Sequence, residues 1–172
     1  MDELRYPVGP FSAPETVSEA QAVAWIEEIE RFPAELRAVV SALSPAELDT
    51  RYRPGGWTAR QVVHHLADSH INSYVRFKWA LTEDEPVIKA YHEERWAELV
   101  DYRATPVSTS LDLLGALHAR WSALLKNLDS DQLDRTFIHP ESGRTPLRVN
   151  IGIYAWHGRH HLAHIELVRG VT

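Results

Sequence analysis

Apolar residues in this chain return every third or fourth position rather than every second. Trp25, Ile29, Phe32, Leu36, Val39 and Leu43 keep that step, and helix-period patterns also occupy residues 55–85, 107–139 and 147–172. These three stretches and residues 15–32 are free of proline, whereas Pro7, Pro10 and Pro14 mark an extended N-terminal arm. None of the stretches shows the sustained alternation of a strand. The pattern predicts an all-α protein, a four-helix bundle with long connections, as one domain over 1–172.

Local signals set the expected ends. The first helix begins at Ser18, with Gln21 completing a capping box, and Pro33 should kink or interrupt it. The second follows the Gly55-Gly56 turn, begins at Thr58 with Gln61 at its third position, and runs to about Thr82. The third is expected from near Ser110, with Asp112 in its first turn, to near Leu128. The fourth is expected from near Asn150 to Gly170, a residue type suited to end it. Trp96, Leu99 and Val100 predict a short helix within the 83–106 crossover. A weak internal repeat, Leu43–Asp49 and Leu128–Asp134, introduces the second and fourth helices with the same short helical turn.

Composition narrows the chemistry. At 172 residues, with 44% apolar and 24% charged residues, the chain is long enough for one continuous core. A net charge of −6 argues against general nucleic-acid binding. No apolar run approaches the ~20 residues that span a membrane. Met1–Pro7 has neither a basic nor an apolar leader region, so a cytoplasmic location is expected. With no cysteine, disulfides, thiolate zinc sites, iron–sulfur clusters and a cysteine nucleophile are excluded. Six tryptophans are expected mainly in the core, Trp25 and Trp156 among them.

The ten histidines are uneven: seven fall at 64, 65, 70, 157, 160, 161 and 164. Helical propensity does not explain four of them within 157–164, and burying neutral imidazoles without partners costs free energy. On a helix, residues four apart share a face. His157 with His161, or His160 with His164, would therefore chelate a divalent metal. Position 158 is Gly, so the Glu of an H-E-x-x-H metalloprotease is missing. A third ligand is expected from the second helix, where His65, Ser69, Asn72 and Arg76 form a polar stripe suited to a cavity wall. His65 and His157 each lie seven residues past an expected N-cap, Thr58 and Asn150. His64 and His70 read as surface residues or partners of ligands, and His92, His118 and His139 as structural or exposed.

Gly55-Gly56-Trp57-Thr58, the run Val62-Val63-His64-His65-Leu66-Ala67-Asp68-Ser69-His70, Asn72-Ser73-Tyr74, Arg76-Phe77-Lys78 and Trp156-His157…His160-His161…Ala163-His164-Ile165 together resemble the YfiT-type members of the DinB-like four-helix-bundle superfamily. These are bacterial proteins assigned as metal-dependent hydrolases. The resemblance extends over nearly the whole chain, including Tyr6-Pro7, Gly9, Trp121 and Leu124-Leu125. It implies a metal site of His65, His157 and His161, with His160 and His164 beside the ligands or in the pocket wall. It also implies zinc, or nickel in some members, a homodimer and a cytoplasmic setting.

Three neutral imidazoles leave coordination positions open for a water that ionises near neutral pH, the chemistry of a hydrolase acting on a small molecule. Asp68 is the obvious carboxylate in these motifs, as base or as partner of a ligand. Arg76 and Asn72 would bind an anionic group, and Ser69 would line the pocket. The same site would also serve a thiol S-transferase that uses a low-molecular-weight thiol such as bacillithiol, a relative implied by the resemblance. A non-catalytic metal site, closed by a fourth ligand from Asp68, His160 or His164, is the remaining alternative.

Overall fold

The computed structural model describes residues 3–169. In chain order, α1 (Glu19–Ser41) leads through one short helical turn, α2 (Pro45–Leu48), to α3 (Ala59–Thr82). Two more short turns, α4 (Glu93–Trp96) and α5 (Asp101–Ala104), then lead to α6 (Val107–Leu125). The turn α7 (Ser130–Leu133) and a hairpin of β1 (Thr136–His139) and β2 (Gly143–Pro146) precede α8 (Leu147–Glu166). No described helix is long and apolar enough to cross a membrane.

The expected all-α bundle is present, with a specific winding. Each long helix packs mainly against two others, giving the cyclic order α1, α6, α3, α8. Helices consecutive among the long four, α1 with α3 and α6 with α8, therefore lie across the bundle from each other, which is why each connection is long. The winding places α3 against both α6 and α8, so its first half is buried almost all round: Val62, Val63, His64, His65, Leu66 and Ala67 are all buried. One apolar cluster gathers Trp25, Ile29, Phe77, Trp121, Phe137 and Ile151. A second gathers Phe32, Leu36, Val62, Leu66, Leu114 and Ile165. His70 touches both, stacked on Phe32 and edge-on to Trp121.

Several expected ends move. Thr58 and Gln61 form the full capping box of α3. At α1 only the Ser18 half forms, accepting from the Gln21 N–H at 3.2 Å. Pro33 does not interrupt α1, which runs on to Ser41. α6 and α8 each begin three residues before the expected caps, directly after Pro106 and Pro146. Ser110 and Asn150 are buried instead, and their side chains bond across to α3: Ser110 Oγ with His64 Nδ1 at 2.7 Å, and Asn150 Nδ2 to Ser73 Oγ at 3.0 Å. His157 is thus further into its helix than His65, not at equal depth. α6 stops at Leu125 and α8 at Glu166; the expected stop, Gly170, lies outside the described residues.

The repeat is real at the level of the turn: α2 and α7 are both closed by capping boxes, Ser44 with Glu47 and Asp129 with Gln132. The crossover holds two short turns rather than one, and Leu99 and Val100 are exposed. The hairpin was not expected; it pairs Phe137 with Thr145 and His139 with Gly143, and Ile138 bridges to Val87. The N-terminal arm lies on α8, where Trp156 Nε1 donates to the Gly9 carbonyl at 2.9 Å.

Candidate functional site

The adjacency of α3 and α8 brings three histidines together. Ring nitrogens of His65, His157 and His161 all lie within 4.8 Å of one another. His65 Nε2 is 3.2 Å from His157 Nε2. Tetrahedral zinc with nitrogen ligands at 2.0–2.1 Å requires nitrogens about 3.3 Å apart, so the spacing suits a metal. His160, His161 and His164 form a second group within the same limit. It shares His161 but draws all its members from α8. A bound metal there would have no ligand from another helix.

Burial keeps these rings neutral. It drives His65 down to about 3, helped by the neighbouring His160. His157 and His161 fall well below the ordinary imidazole range, first through burial and then through the surrounding histidines. A neutral ring is the form that ligates a metal.

His157 and His161 each use Nδ1 on another histidine. His157 Nδ1 is 3.1 Å from His70 Nε2, and His70 Nδ1 is 2.7 Å from His118 Nε2 on α6. His118 Nδ1 donates to the Ile29 carbonyl on α1 at 2.6 Å. On the outer side, His161 Nδ1 is 3.3 Å from His164 Nδ1, and His164 Nε2 donates to the Arg5 carbonyl at 3.2 Å. Burial holds His118 and His164 at about 4. His65 Nδ1 and His160 Nδ1 are buried without a hydrogen-bond partner among the described residues.

The three rings open onto a cavity of about 360 Å³ that Ser69, Arg76, Tyr154 and Trp156 also line. Of the predicted polar stripe, His65, Ser69 and Arg76 reach this cavity. Asn72 does not: its amide donates to the Asp68 carbonyl in its own helix. Asp68 is also turned away, with its carboxylate accepting from Tyr102 at 2.6 Å. His64 and His70 are buried rather than at the surface, and His118 is 1% exposed. Trp156 is a cavity wall stacked on His160, not core. Arg76 is buried and makes no ion pair within 4.0 Å among the described residues.

The crossover adds Ala90, Tyr91 and Glu93 to the cavity wall, and the hairpin adds His139, which the sequence reading took as structural or exposed, and Glu141. Only the unusual Tyr91-His92-Glu93 cluster in the crossover hinted at them. Glu93 also borders a neighbouring cavity of about 190 Å³ lined by Arg5, Tyr6, Tyr52 and Arg53. Partial burial raises its carboxyl, as do Glu94 and Glu141. Gly158, where a metalloprotease would carry its Glu, faces α1: a Cβ there would stand 3.0 Å from the Phe32 ring.

Comparison with known proteins agrees with this fold. A Bacillus cereus (strain B4264) protein named "Putative metal-dependent hydrolase" is 54% identical over 169 residues, covering 98% of this chain and 97% of its own. The solved structure of YfiT from Bacillus subtilis, described as "a probable metal-dependent hydrolase with an unusual four-helix bundle topology", superposes with a TM-score of 0.94 at 48% identity over 97% of both chains. TT2238, a four-helix bundle protein, shares the fold at a TM-score of 0.58 and 21% identity, covering 84% of this chain and 98% of its own. The profile of the DinB superfamily matches residues 28–165, and the chain belongs to that superfamily.

Proposed function

We propose that this protein is a metal-dependent hydrolase of small molecules, with His65, His157 and His161 as the metal ligands and zinc as the metal, nickel being the alternative. The observation that carries the reading is the convergence of three neutral imidazoles from two helices at the wall of a cavity. A metal held by such a donor set would supply a water that ionises near neutral pH. Among the described residues neither a carboxylate nor a fourth histidine joins His65, His157 and His161 as a group, which supports an open position over a site closed by Asp68, His160 or His164. Arg76 takes an anionic group of the substrate through its guanidinium. Glu93 serves as the base, because its raised carboxyl borders the cavity and accepts a proton closer to neutral pH. Asp68 holds Tyr102 and is left out of the chemistry.

Arg76 also favours a second reading. A buried guanidinium without a carboxylate partner suits the anionic end of a low-molecular-weight thiol such as bacillithiol, the co-substrate of an S-transferase. Zinc-loaded protein assayed with ester, amide and alkyl-halide electrophiles, with and without such a thiol, separates the two. Cleavage without thiol supports hydrolysis; strictly thiol-dependent product supports transfer. Arg76→Ala is expected to leave zinc content intact and to raise KM for an anionic substrate by about 10- to 150-fold, the worth of one charge-assisted contact. An unchanged KM would remove Arg76 from recognition. The resemblance to YfiT-type proteins supports a cytoplasmic setting and a homodimer, and light scattering at micromolar concentration checks the dimer.

A further inference from the structure

An α-helical carbonyl at residue 29 would normally accept from the N–H of residue 33. Residue 33 is proline and has none. The Ile29 oxygen is thereby freed, and His118 Nδ1 reaches it from α6 at 2.6 Å. A carbonyl only accepts, so His118 carries its proton on Nδ1. A neutral imidazole has one N–H and one acceptor nitrogen. His118 Nε2 is therefore an acceptor, and His70 Nδ1, 2.7 Å away, must donate to it. That leaves His70 Nε2 as an acceptor for His157 Nδ1 at 3.1 Å. His157 then has a bare Nε2, directed at the His65 ring 3.2 Å away.

We infer that His118 and His70 are positioning residues that hold His157 in the Nδ1–H tautomer, the one that offers Nε2 to a metal. The inference rests on the reading of His157 as a ligand. Its strength lies in the enclosure of the chain: His70 is 0% and His118 1% exposed. Reversing any one ring would set two N–H groups, or two lone pairs, against each other. Such unmatched buried polar atoms are expensive. The direction is thus set once, at a backbone oxygen, and passed through two rings to the ligand. Partners behind ligating histidines fix tautomer and ring orientation in this way generally; here the partner is a buried chain of two more histidines.

Two measurements test it. The first is a long-range ¹H–¹⁵N spectrum of the metal-free protein, which distinguishes imidazole tautomers. His118, His70 and His157 should all show Nδ1–H. An Nε2–H tautomer as the main form of any of them overturns the inference. Because no metal is present, this result stands even if the site never binds zinc, whereas a protein with the expected tautomers and no zinc affinity would refute only the metal reading. The second is zinc affinity, by competition with a chromogenic chelator. His118→Phe keeps a buried ring but removes both nitrogens, and should weaken zinc by about 10- to 100-fold. His118→Gln, which keeps a donor and an acceptor, should recover most of that. Equal affinity of wild type and His118→Phe, or equal loss in both variants, overturns the inference. Should His118→Phe fail to fold, the wild-type tautomers decide alone.

Discussion

His157 and His161 stand one turn apart on α8 and are supported from opposite sides of the bundle. Behind His157 lie two rings and a helical carbonyl, all within the core and spread over α3, α6 and α1. Behind His161 lies a single ring, His164, bonded to the Arg5 carbonyl of the N-terminal arm. The chemistry is equivalent, since each support ends in a histidine that donates to a backbone oxygen, His118 to Ile29 and reaching His157 through His70, His164 to Arg5 and reaching His161 directly. The mechanics are not. The inner support shifts only if the bundle opens. The outer support depends on an arm fastened by a few bonds, such as that from Trp156 to Gly9. One of the two proposed ligands is therefore fixed by the core and the other by a surface segment.

The largest effect erases this contrast. His65→Ala, His157→Ala and His161→Ala should each weaken zinc binding by more than about 100-fold, beyond the loss caused by altering a ligand's partner. Exposed His92→Ala should leave it unchanged. Full zinc retention in His65→Ala, measured by atomic absorption after dialysis, would dismantle the proposed ligand set.

Acid separates the folded rings from the unfolded ones. His118 titrates at about 4 in the fold against 6.5 in the open chain. Below 6.5 the unfolded chain takes up a proton that the folded ring refuses, so stability falls as pH drops from there towards 4. Between pH 7 and pH 4.5 this one ring accounts for a loss on the order of 2 kcal/mol. Urea titrations of metal-free protein at pH 7 and pH 4.5 should show that loss, reduced in His118→Gln. A flat profile would mean that the interior rings are hydrated.

The smallest effect sharpens the contrast. Deleting residues 1–8 removes the Arg5 carbonyl, but His164 lies at a cavity where water replaces that acceptor. Zinc affinity should fall by less than about 10-fold, short of the His118→Phe loss. A deletion that costs as much as His118→Phe would make the arm an equal partner in the site.

Much of the frame was legible in the sequence because it is local. Four helix-period stretches marked the long helices, and the Thr58–Gln61 box set the start of α3 to the residue. What failed was non-local. Ser110 and Asn150 have the chemistry of helix caps, yet both spend it on α3 across the bundle, and prolines 106 and 146 open those helices instead. The ligands' i, i+4 spacing made the α8 histidines conspicuous. His118 carried no comparable mark, since the ring it serves lies 48 residues away. Asp68 is near His65 in sequence but leaves the helix towards Tyr102, a direction set by how α5 packs on α3. The hairpin bearing His139 and Glu141 is too short to show alternation, with four residues per strand.

The carbonyl freed by Pro33 also bears on proton traffic. Hydrogen-bonded imidazoles make a conducting wire when each end can trade protons with water. This one terminates on an oxygen that has no proton to give, the Ile29 carbonyl of α1. Conduction through the bundle is blocked at its far terminal. Protons exchanged at these rings pass through the cavities they line, where Glu93 and Glu141 are exposed.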